Sequence, residues 1–374
     1  MQRFPNDRLF MAHTTPLAHD ADLKRIPVTL LTGFLGSGKT TLLNALVQQP
    51  AMSQTLVLIN EFGDIGLDHD LFAASSDGEQ IELASGCICC TIRTDLARTL
   101  REAVWRFSRD GQRRFDRLVI ETTGLADPAP IVQTLLSEPK VARHYRLDGI
   151  VTTLDVTNAG DTLARFEEAR RQAAMADLLL LTKSDQANDS ALADLEQRLA
   201  TLNPGARREV VSHGALDAAR LTGLVPQALG SGSEIDTWLD EAAQPPTLRG
   251  VERFGPSSAA PALLLSRDAQ QGRHDEGIRA HSFTFETPID AGRFEHWLSL
   301  LDMLMGEDML RFKGIVDIAG RQRPVAVHGV QRLLYPPVEL ARWPGQTRGS
   351  RLVFITRKIE RQQLADSLEK GLFG

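Results

Sequence analysis

One stretch near the start of the chain carries the strongest chemical signal, Gly33-Phe34-Leu35-Gly36-Ser37-Gly38-Lys39-Thr40, which fits the phosphate-binding P-loop pattern. The apolar run Ile26–Leu31 before it predicts a buried strand, and the segment Thr40–Gln49 after it predicts a helix. Such a strand, loop and helix direct backbone N–H groups toward one point, where they can bind a phosphate chain. A phosphate-binding loop is therefore favoured over a glycine-rich turn that binds no ligand. Lys39 would reach the β- and γ-phosphates, and the Thr40 hydroxyl would hold Mg²⁺. The residues expected to bind nucleotide in this segment are Gly33, Gly36, Ser37, Gly38, Lys39, Thr40 and Thr41.

A carboxylate is expected beside this loop, because the candidate strand Phe115–Glu121 runs into Thr122-Thr123-Gly124. In P-loop proteins, Mg²⁺ or its coordinated water needs an acceptor at the tip of a neighbouring strand. Glu121 fits this role and, with Lys39, is a predicted catalytic residue; the alternative is a solvated glutamate at a strand end. Gly124 would allow a backbone N–H group to approach the γ-phosphate.

The base of the nucleotide is indicated by Thr182-Lys183-Ser184-Asp185, which follows the apolar run Leu178–Leu181. This segment resembles the guanine-recognition motif of P-loop GTPases, usually written Asn-Lys-x-Asp. Asp185 would accept from the guanine N1–H and N2–H₂ groups, which adenine lacks, and the Lys183 stem would pack on the base. Thr182 stands in place of the usual asparagine, so the match is partial, and a Lys–Asp turn after a strand is the alternative. Guanine is favoured over adenine.

All three cysteines of the chain fall within Gly86-Cys87-Ile88-Cys89-Cys90. Their clustering excludes a disulfide framework and is typical of a reducing compartment, which predicts a cytoplasmic protein. Thiolates in this array can converge on one soft or borderline ion such as Zn²⁺, Co²⁺ or Cu⁺, and three protein ligands leave a fourth position open. Burial of three small apolar side chains and redox chemistry of vicinal thiols are the alternatives. Metal binding by Cys87, Cys89 and Cys90 is the preferred interpretation.

The chain as a whole is predicted to contain two domains and no membrane segment. Its 374 residues exceed the usual size of one domain. The net charge of −6 argues against non-specific binding of nucleic acid. No apolar run approaches the ~20 residues of a membrane span. Residues 1–24 are polar and lack an apolar signal core, which predicts a disordered tail.

Alternating strands and helices predict an α/β domain over residues 25–230, with a mostly parallel sheet flanked by helices. A Gly/Pro/Ser-rich linker is expected over residues 231–279, and a small α+β domain over residues 280–374. The strands predicted in the first domain are Ile26–Leu31, Thr55–Asn60, Phe115–Glu121, Gly149–Leu154, Leu178–Thr182 and Glu209–Ser212, and its further helices are Asp95–Phe107, Pro130–Ser137, Asp161–Met175 and Ser190–Leu202. The second domain is predicted to contain strands Ala280–Glu286, Met309–Ile318, Val325–Val330 and Leu352–Ile355, a helix at Ile289–Met305 and a closing helix from Ile359.

The order and spacing of these motifs resemble the CobW-type family of metal-chaperone GTPases, relatives of the hydrogenase and urease nickel-insertion GTPases. The segments that carry the resemblance are Gly33–Thr41, Asn60–Gly63, Gly86–Cys90, Glu121–Pro128 and Thr182–Asp185, with Arg311–Ile315 and Val325–Tyr335 resembling the family's C-terminal domain. The resemblance covers about residues 26–360. It implies a P-loop GTPase whose cysteine motif binds zinc or cobalt, and whose hydrolysis of GTP to GDP accompanies metal transfer to a client metalloprotein.

The resemblance also places Glu61, in Asn60-Glu61-Phe62-Gly63, near the metal and the first switch segment. There it would supply a fourth zinc ligand or orient the attacking water. His274 and His281 are too few to form the histidine-rich metal reservoir of many relatives, and they are predicted to be solvated linker residues. Two alternative functions stay open: a zinc buffer or sensor whose metal affinity is set by the bound nucleotide, and delivery of cobalt or iron for cobalamin synthesis or nitrile hydratase maturation. The protein is also expected to be able to form a homodimer.

Overall fold

The computed structural model of the protein describes residues 25–60, 81–82, 88–92, 95–225, 277–331, 333–343 and 348–374. Glu61, Cys87 and nearly all of the predicted linker lie outside the described residues, and so do the side chains of Cys89 and Cys90. The chain divides into two compact units. One unit comprises Lys24–Gln197 and Ala206–Val225, and the other comprises Met1–Leu23, Arg198–Gly205 and Pro226–Gly374.

The first unit is built on the parallel sheet that its continuous apolar runs predicted, and strands such as Leu178–Thr182 are buried along their whole length. The strands are β1 (Ile26–Gly33), β2 (Thr55–Asn60), β3 (Ile81–Glu82), β4 (Ile88–Ile92), β7 (Arg117–Thr122), β8 (Tyr145–Asp155), β9 (Leu178–Thr182) and β10 (Arg207–Val211); β5 (Ser108–Arg109) and β6 (Gln112–Arg113) form a separate hairpin. The order across the sheet is β10-β9-β8-β1-β7-β2-β4-β3. Strand β3 runs antiparallel to β4, and the other neighbours run parallel.

Helices flank this sheet, and one predicted helix is interrupted. The helices are α1 (Lys39–Leu46), α2 (Leu96–Arg106), α3 (Ala129–Ser137), α4 (Pro139–Ala142), α5 (Ala159–Arg165), α6 (Glu167–Met175) and α7 (Asp189–Leu202). The prediction of one helix over Asp161–Met175 is wrong, because Phe166 adopts an extended backbone (φ −115°, ψ 120°) between α5 and α6. Its ring lies 4.6 Å from that of Phe34. Arg170 donates to the carbonyls at the end of α5, which satisfies groups that a helix end leaves unpaired.

The C-terminal part of the chain folds as an antiparallel sheet with two helices, which confirms the predicted α+β class. The elements are β11 (Ile278–Phe285), α8 (Ala291–Met305), β12 (Met309–Val316), β13 (Val325–Val330), β14 (Leu333–Leu334), β15 (Val338–Glu339), β16 (Ser350–Arg357) and α9 (Arg361–Leu368). The sheet order is β11-β16-β12-β13-β14, and β15 also pairs with β13. Aromatic rings fill its core. The centre of the Phe312 ring lies 4.9 Å from that of Phe354 and 6.0 Å from that of Trp297.

The prediction that His281 is a solvated linker residue is wrong. His281 lies within β11 and is only 1% exposed. Alternate residues of a strand share one face, and Phe283 and Phe285 on the same strand belong to the hydrophobic core of this domain. The strand begins at Ile278, so the histidine belongs to the sheet.

None of the helices built by the described residues combines the length and the hydropathy needed to cross a bilayer.

Candidate nucleotide-binding site

The P-loop connects the end of β1 to α1, and its first glycine is required by close packing. Gly33 has a φ of 144°, and a Cβ atom at this position would lie 2.3 Å from the Thr153 hydroxyl of β8. Contacts below 3 Å are not tolerated, so a larger residue would displace the loop from the sheet. Gly36 and Gly38 follow in the same loop, and Gly38 is the residue before α1.

Buried hydroxyl groups fasten the P-loop to the strands beneath it. The Ser37 hydroxyl lies 2.7 Å from the Thr153 hydroxyl. Thr182, at the end of β9, donates to the Ser37 carbonyl over 2.7 Å and lies 3.1 Å from the Leu154 carbonyl. All of these hydroxyl groups are buried, where an unpaired polar group would be costly. Thr182, the departure from the usual guanine motif, therefore positions the phosphate-binding loop.

Lys39 lies buried inside the loop that precedes it. Its Nζ donates to the carbonyl oxygens of Gly33 and Phe34, at 2.8 and 3.1 Å. Burial lowers the pKa of the Lys39 ammonium, and the Glu121 carboxylate opposes this shift. A desolvated ammonium ion beside neutral carbonyls is well placed to stabilise a phosphate chain. With little water between the two charges, the attraction between the ammonium and the phosphates would be strong.

Thr40 and Glu121 come together as the two motifs predicted. The Thr40 hydroxyl donates to the Glu121 carboxylate over 2.8 Å, although the residues lie 81 positions apart in the sequence. The contact arises because β7 pairs directly with β1, in a register that sets Leu31 beside Glu121. Glu121 is only 4% exposed. Hydroxyl and carboxylate oxygens are donors that Mg²⁺ prefers, so this pair fits that ion.

The turn after β7 packs directly on the P-loop. Gly124 is buried, and a Cβ atom added to it would lie 2.6 Å from the backbone nitrogen of Leu35 and 2.7 Å from its Cα. The Ala126 N–H group donates to the Thr123 carbonyl over 3.1 Å, which closes the turn. We call this segment the Thr123–Ala126 turn. Its contact with Leu35 brings its backbone to the P-loop, and the approach of a Gly124 N–H group to the γ-phosphate stays a prediction.

The segment predicted to recognise guanine follows β9, and its lysine has a left-handed backbone conformation and an ion-pair partner. Lys183 has a φ of 56°, in the left-handed region, and its Nζ lies 2.9 Å from Oδ2 of Asp155. Burial raises the pKa of Asp155, but hydrogen bonds from Thr157, Lys183 and Asn158 outweigh it, so the pKa lies below its ordinary value. Lys183 is therefore held beside a carboxylate that stays ionised at neutral pH.

Two residues after β10 contact the segment predicted to recognise the base, and the sequence analysis did not single them out. The Nε2 atom of His213 lies 3.8 Å from Oδ2 of Asp185, and the Ser212 hydroxyl lies 3.0 Å from that of Ser184. Ser212 and His213 directly follow β10, and Asp155 is the last residue of β8. Parallel strands bring their carboxyl ends to one edge of the sheet, where α/β proteins bind ligands, and that position is the signal that could have found them.

The structure describes only the backbone of part of the metal motif. Cys89 and Cys90 lie in β4, where they pair with Val57 and Leu58 of β2, while Cys87 and Glu61 lie outside the described residues. Among the side chains that are described, no three His, Cys, Asp or Glu residues form a group that could hold a metal ion.

Comparison with known proteins agrees with this architecture. Residues 27–209 match the family model described as CobW/HypB/UreG, nucleotide-binding domain, and residues 278–372 match the cobalamin synthesis protein cobW C-terminal domain. The chain belongs to the CobW family. Its first domain is a P-loop GTPase domain, as the sequence motifs predicted.

Relatives of this CobW family member carry names that concern zinc. The zinc chaperone YjiA of Escherichia coli is 32% identical over 340 residues, covering 91% of this chain and 96% of YjiA. The crystal structure of the Zn(II)-bound YjiA GTPase from E. coli superposes with a TM-score of 0.66 at 28% identity, over 93% of this chain and 99% of YjiA. The zinc-regulated GTPase metalloprotein activator 1 of Schizosaccharomyces pombe is 35% identical over 205 residues, 53% of this chain and 49% of the activator.

Proposed function

We propose that this protein is a GTP-dependent metallochaperone, which binds Zn(II) at Cys87, Cys89 and Cys90 and transfers it to a client metalloprotein with GTP hydrolysis. One observation carries the coupling between the two activities. Leu58 of β2 pairs with Cys90 on one side and with Ile120, the residue before Glu121, on the other. Neighbouring strands lie about 4.8 Å apart, so the backbones of Cys90 and Ile120 are separated by roughly 10 Å.

The nucleotide half of the proposal assigns each polar group of the site to one part of Mg²⁺–GTP. Lys39 and the P-loop N–H groups would bind the phosphates, and Lys39 would stabilise the charge that develops on them during hydrolysis. Thr40 and Glu121 would hold Mg²⁺, directly or through its water, which is supported by their 2.8 Å contact. Asp185 would read guanine, with Lys183 packed on the base. The preference for GTP over ATP then follows from the carboxylate of Asp185.

The metal half of the proposal depends on the ligand chemistry of the cysteine motif. Thiolates bind Zn²⁺ tightly and accept Co²⁺ as well, so the same site would also take Co(II) as cargo. Three cysteine ligands leave one position, which Glu61 would fill in the loaded state and vacate for the client. The names of the relatives, zinc chaperone and zinc-regulated activator, support zinc as the main cargo. Free thiols of this kind fit a cytoplasmic location.

Contacts of the γ-phosphate could couple the nucleotide site to the cysteine metal site. Contacts of γ-phosphate and Mg²⁺ order neighbouring loops in P-loop GTPases, and hydrolysis releases them. Because β2 joins the cysteine strand β4 to the Glu121 strand β7, a shift at Glu121 would act on the metal ligands through one intervening strand. The chaperone would recognise its client while it carries GTP and zinc. It would do so as a monomer or as a homodimer.

A competition titration tests the metal site. The unmodified protein and a triple variant Cys87→Ser, Cys89→Ser, Cys90→Ser are titrated with zinc against a chromophoric chelator. We expect one tight zinc per chain in the unmodified protein and none in the variant, while both bind GTP equally. A matched control, Thr91→Ser, changes the next residue of β4 and should keep the tight site. Tight zinc binding by the triple variant would contradict the assignment, and GTP hydrolysis too slow to detect even with zinc and client present would favour a zinc buffer.

A further inference from the structure

Gln172, in the middle of α6, contacts the Thr123–Ala126 turn in a way that the GTPase motifs do not account for. Its Nε2 donates to the Gly124 carbonyl over 3.1 Å and to the Ala126 carbonyl over 3.0 Å. The side chain is 1% exposed. A buried amide that uses both of its N–H groups on one turn fixes the position of that turn strongly.

The orientation of this amide is set by its partners. Both neighbouring groups are carbonyl oxygens, which only accept hydrogen bonds, so the amide nitrogen and not the oxygen must face them. The other end of the amide, Oε1, is buried and has no hydrogen-bond partner among the described residues. The side chain therefore makes its hydrogen bonds with the turn alone.

Helix α6 itself is a firm support for this contact. The Thr152 hydroxyl of β8 donates to the main-chain carbonyl of Gln172 over 2.9 Å, which ties the helix to the central sheet. Arg171, the preceding residue, pairs with Asp127 just beyond the turn at 2.5 Å. At the start of the helix, the ring of Phe166 packs on Phe34 of the P-loop. One helix thus contacts both the P-loop and the turn that lies on it.

We propose that Gln172 is a positioning residue for GTP hydrolysis, whose amide holds the Thr123–Ala126 turn at the place where the γ-phosphate would lie. The inference rests on the proposed function, since it takes GTP as the substrate. The turn follows the carboxylate of Glu121, which contacts the Mg²⁺-binding Thr40, and Gly124 packs on Leu35. The P-loop would bind the phosphates that GTP and GDP share, whereas the turn would face the third phosphate, which only GTP carries. Loss of the Gln172 amide should therefore weaken the binding of GTP more than that of GDP.

Substitution of Gln172 separates this role from simple stabilisation of the fold. Gln172→Met keeps the length of the side chain and removes both N–H groups, and Gln172→Glu sets an acceptor against two carbonyls. Thr152→Val is the matched control, because it removes a buried hydrogen bond to the same residue without touching the turn. For each variant, the Kd of GDP and of a non-hydrolysable GTP analogue, the single-turnover hydrolysis rate and the melting temperature are measured.

We expect Gln172→Met to raise the Kd of the GTP analogue about tenfold and to lower the hydrolysis rate by a similar factor, which corresponds to about 1.4 kcal/mol. The Kd of GDP should change less than about twofold. Gln172→Glu should behave in the same way, and Thr152→Val should lower the melting temperature but keep the ratio of the two affinities. An unchanged ratio in Gln172→Met, or an equal loss of both affinities, would overturn the inference. An unmodified protein that neither prefers nor hydrolyses GTP would overturn the proposed function as well.

Discussion

Adding one methyl group at Gly124 should disrupt the nucleotide site. In Gly124→Ala the new Cβ atom would lie 2.6 Å from the Leu35 nitrogen and 2.7 Å from its Cα, where contacts below 3 Å are not tolerated. Both atoms belong to the backbone of the P-loop, so no side-chain rotation can relieve the clash. Overpacking of this kind destabilises proteins by about 1–3 kcal/mol. The P-loop must move to accommodate it, so we expect the affinities for GTP and GDP to fall together by more than about tenfold.

Urea unfolding and titration with fluorescent nucleotides measure the two effects. Gly160→Ala is the matched control, because Gly160 lies in the first turn of α5 and, apart from its chain neighbours and its own helix backbone, no atom lies within 4 Å of its added Cβ. That control should be neutral or stabilising by up to about 1 kcal/mol, as alanine is the better helix former. Equal stability and unchanged nucleotide affinity in Gly124→Ala would refute the packing of the turn on the P-loop.

Further predictions concern the base, the phosphates and pH. Asp185→Asn should weaken GTP binding by about 2–3 kcal/mol, the usual loss for a hydrogen bond to a charged group; competition between GTP and ATP measures this, and equal affinity of the unmodified protein for both would contradict the guanine assignment. Lys39→Ala should abolish phosphate release while the zinc affinity of the nucleotide-free protein stays the same, and hydrolysis at the original rate would show that the chemistry lies elsewhere. Asp155→Asn should lower the free energy of unfolding at pH 7 by about 1 kcal/mol. Because the folded-state pKa of Asp155 is lowered, this stabilisation is present above its ordinary pKa and is lost as the pH falls through the folded-state value, so the difference in stability between the two proteins should shrink as the pH falls below the ordinary pKa of an aspartate.

The P-loop, the proximity of Thr40 and Glu121, and the sheet could be predicted from the sequence because their signals are local. Gly33–Thr40 combines a glycine pattern with a strand before it and a helix after it. The contact between Thr40 and Glu121 follows once β1 and β7 are neighbours, because Glu121 lies at the carboxyl end of β7 and Thr40 lies at the start of the helix that follows the carboxyl end of β1. The break between α5 and α6 was not predictable in this way. It coincides with the packing of Phe166 on Phe34, a contact between residues far apart in the sequence.

The remaining parts of the site share this dependence on long-range contacts. His213 approaches Asp185 only because β10 pairs with β9, and short-range periodicity carries no information on that pairing. Gln172 resembles any polar residue of an amphipathic helix until the turn is packed against it. His281 was predicted to be a solvated linker residue although it also fell within the predicted strand Ala280–Glu286, and the strand that buries it begins at Ile278.

The coupling between nucleotide and metal is the central claim, and one titration tests it. The zinc affinity of the protein is measured by competition with a chromophoric chelator, once with Mg²⁺–GDP and once with Mg²⁺ and a non-hydrolysable GTP analogue. Nucleotide can load or release a metal only if the two states differ in metal affinity, so we expect a difference of at least about tenfold, or about 1.4 kcal/mol. The same zinc affinity in both nucleotide states would contradict the account, because hydrolysis of GTP could then change neither the loading nor the release of the metal.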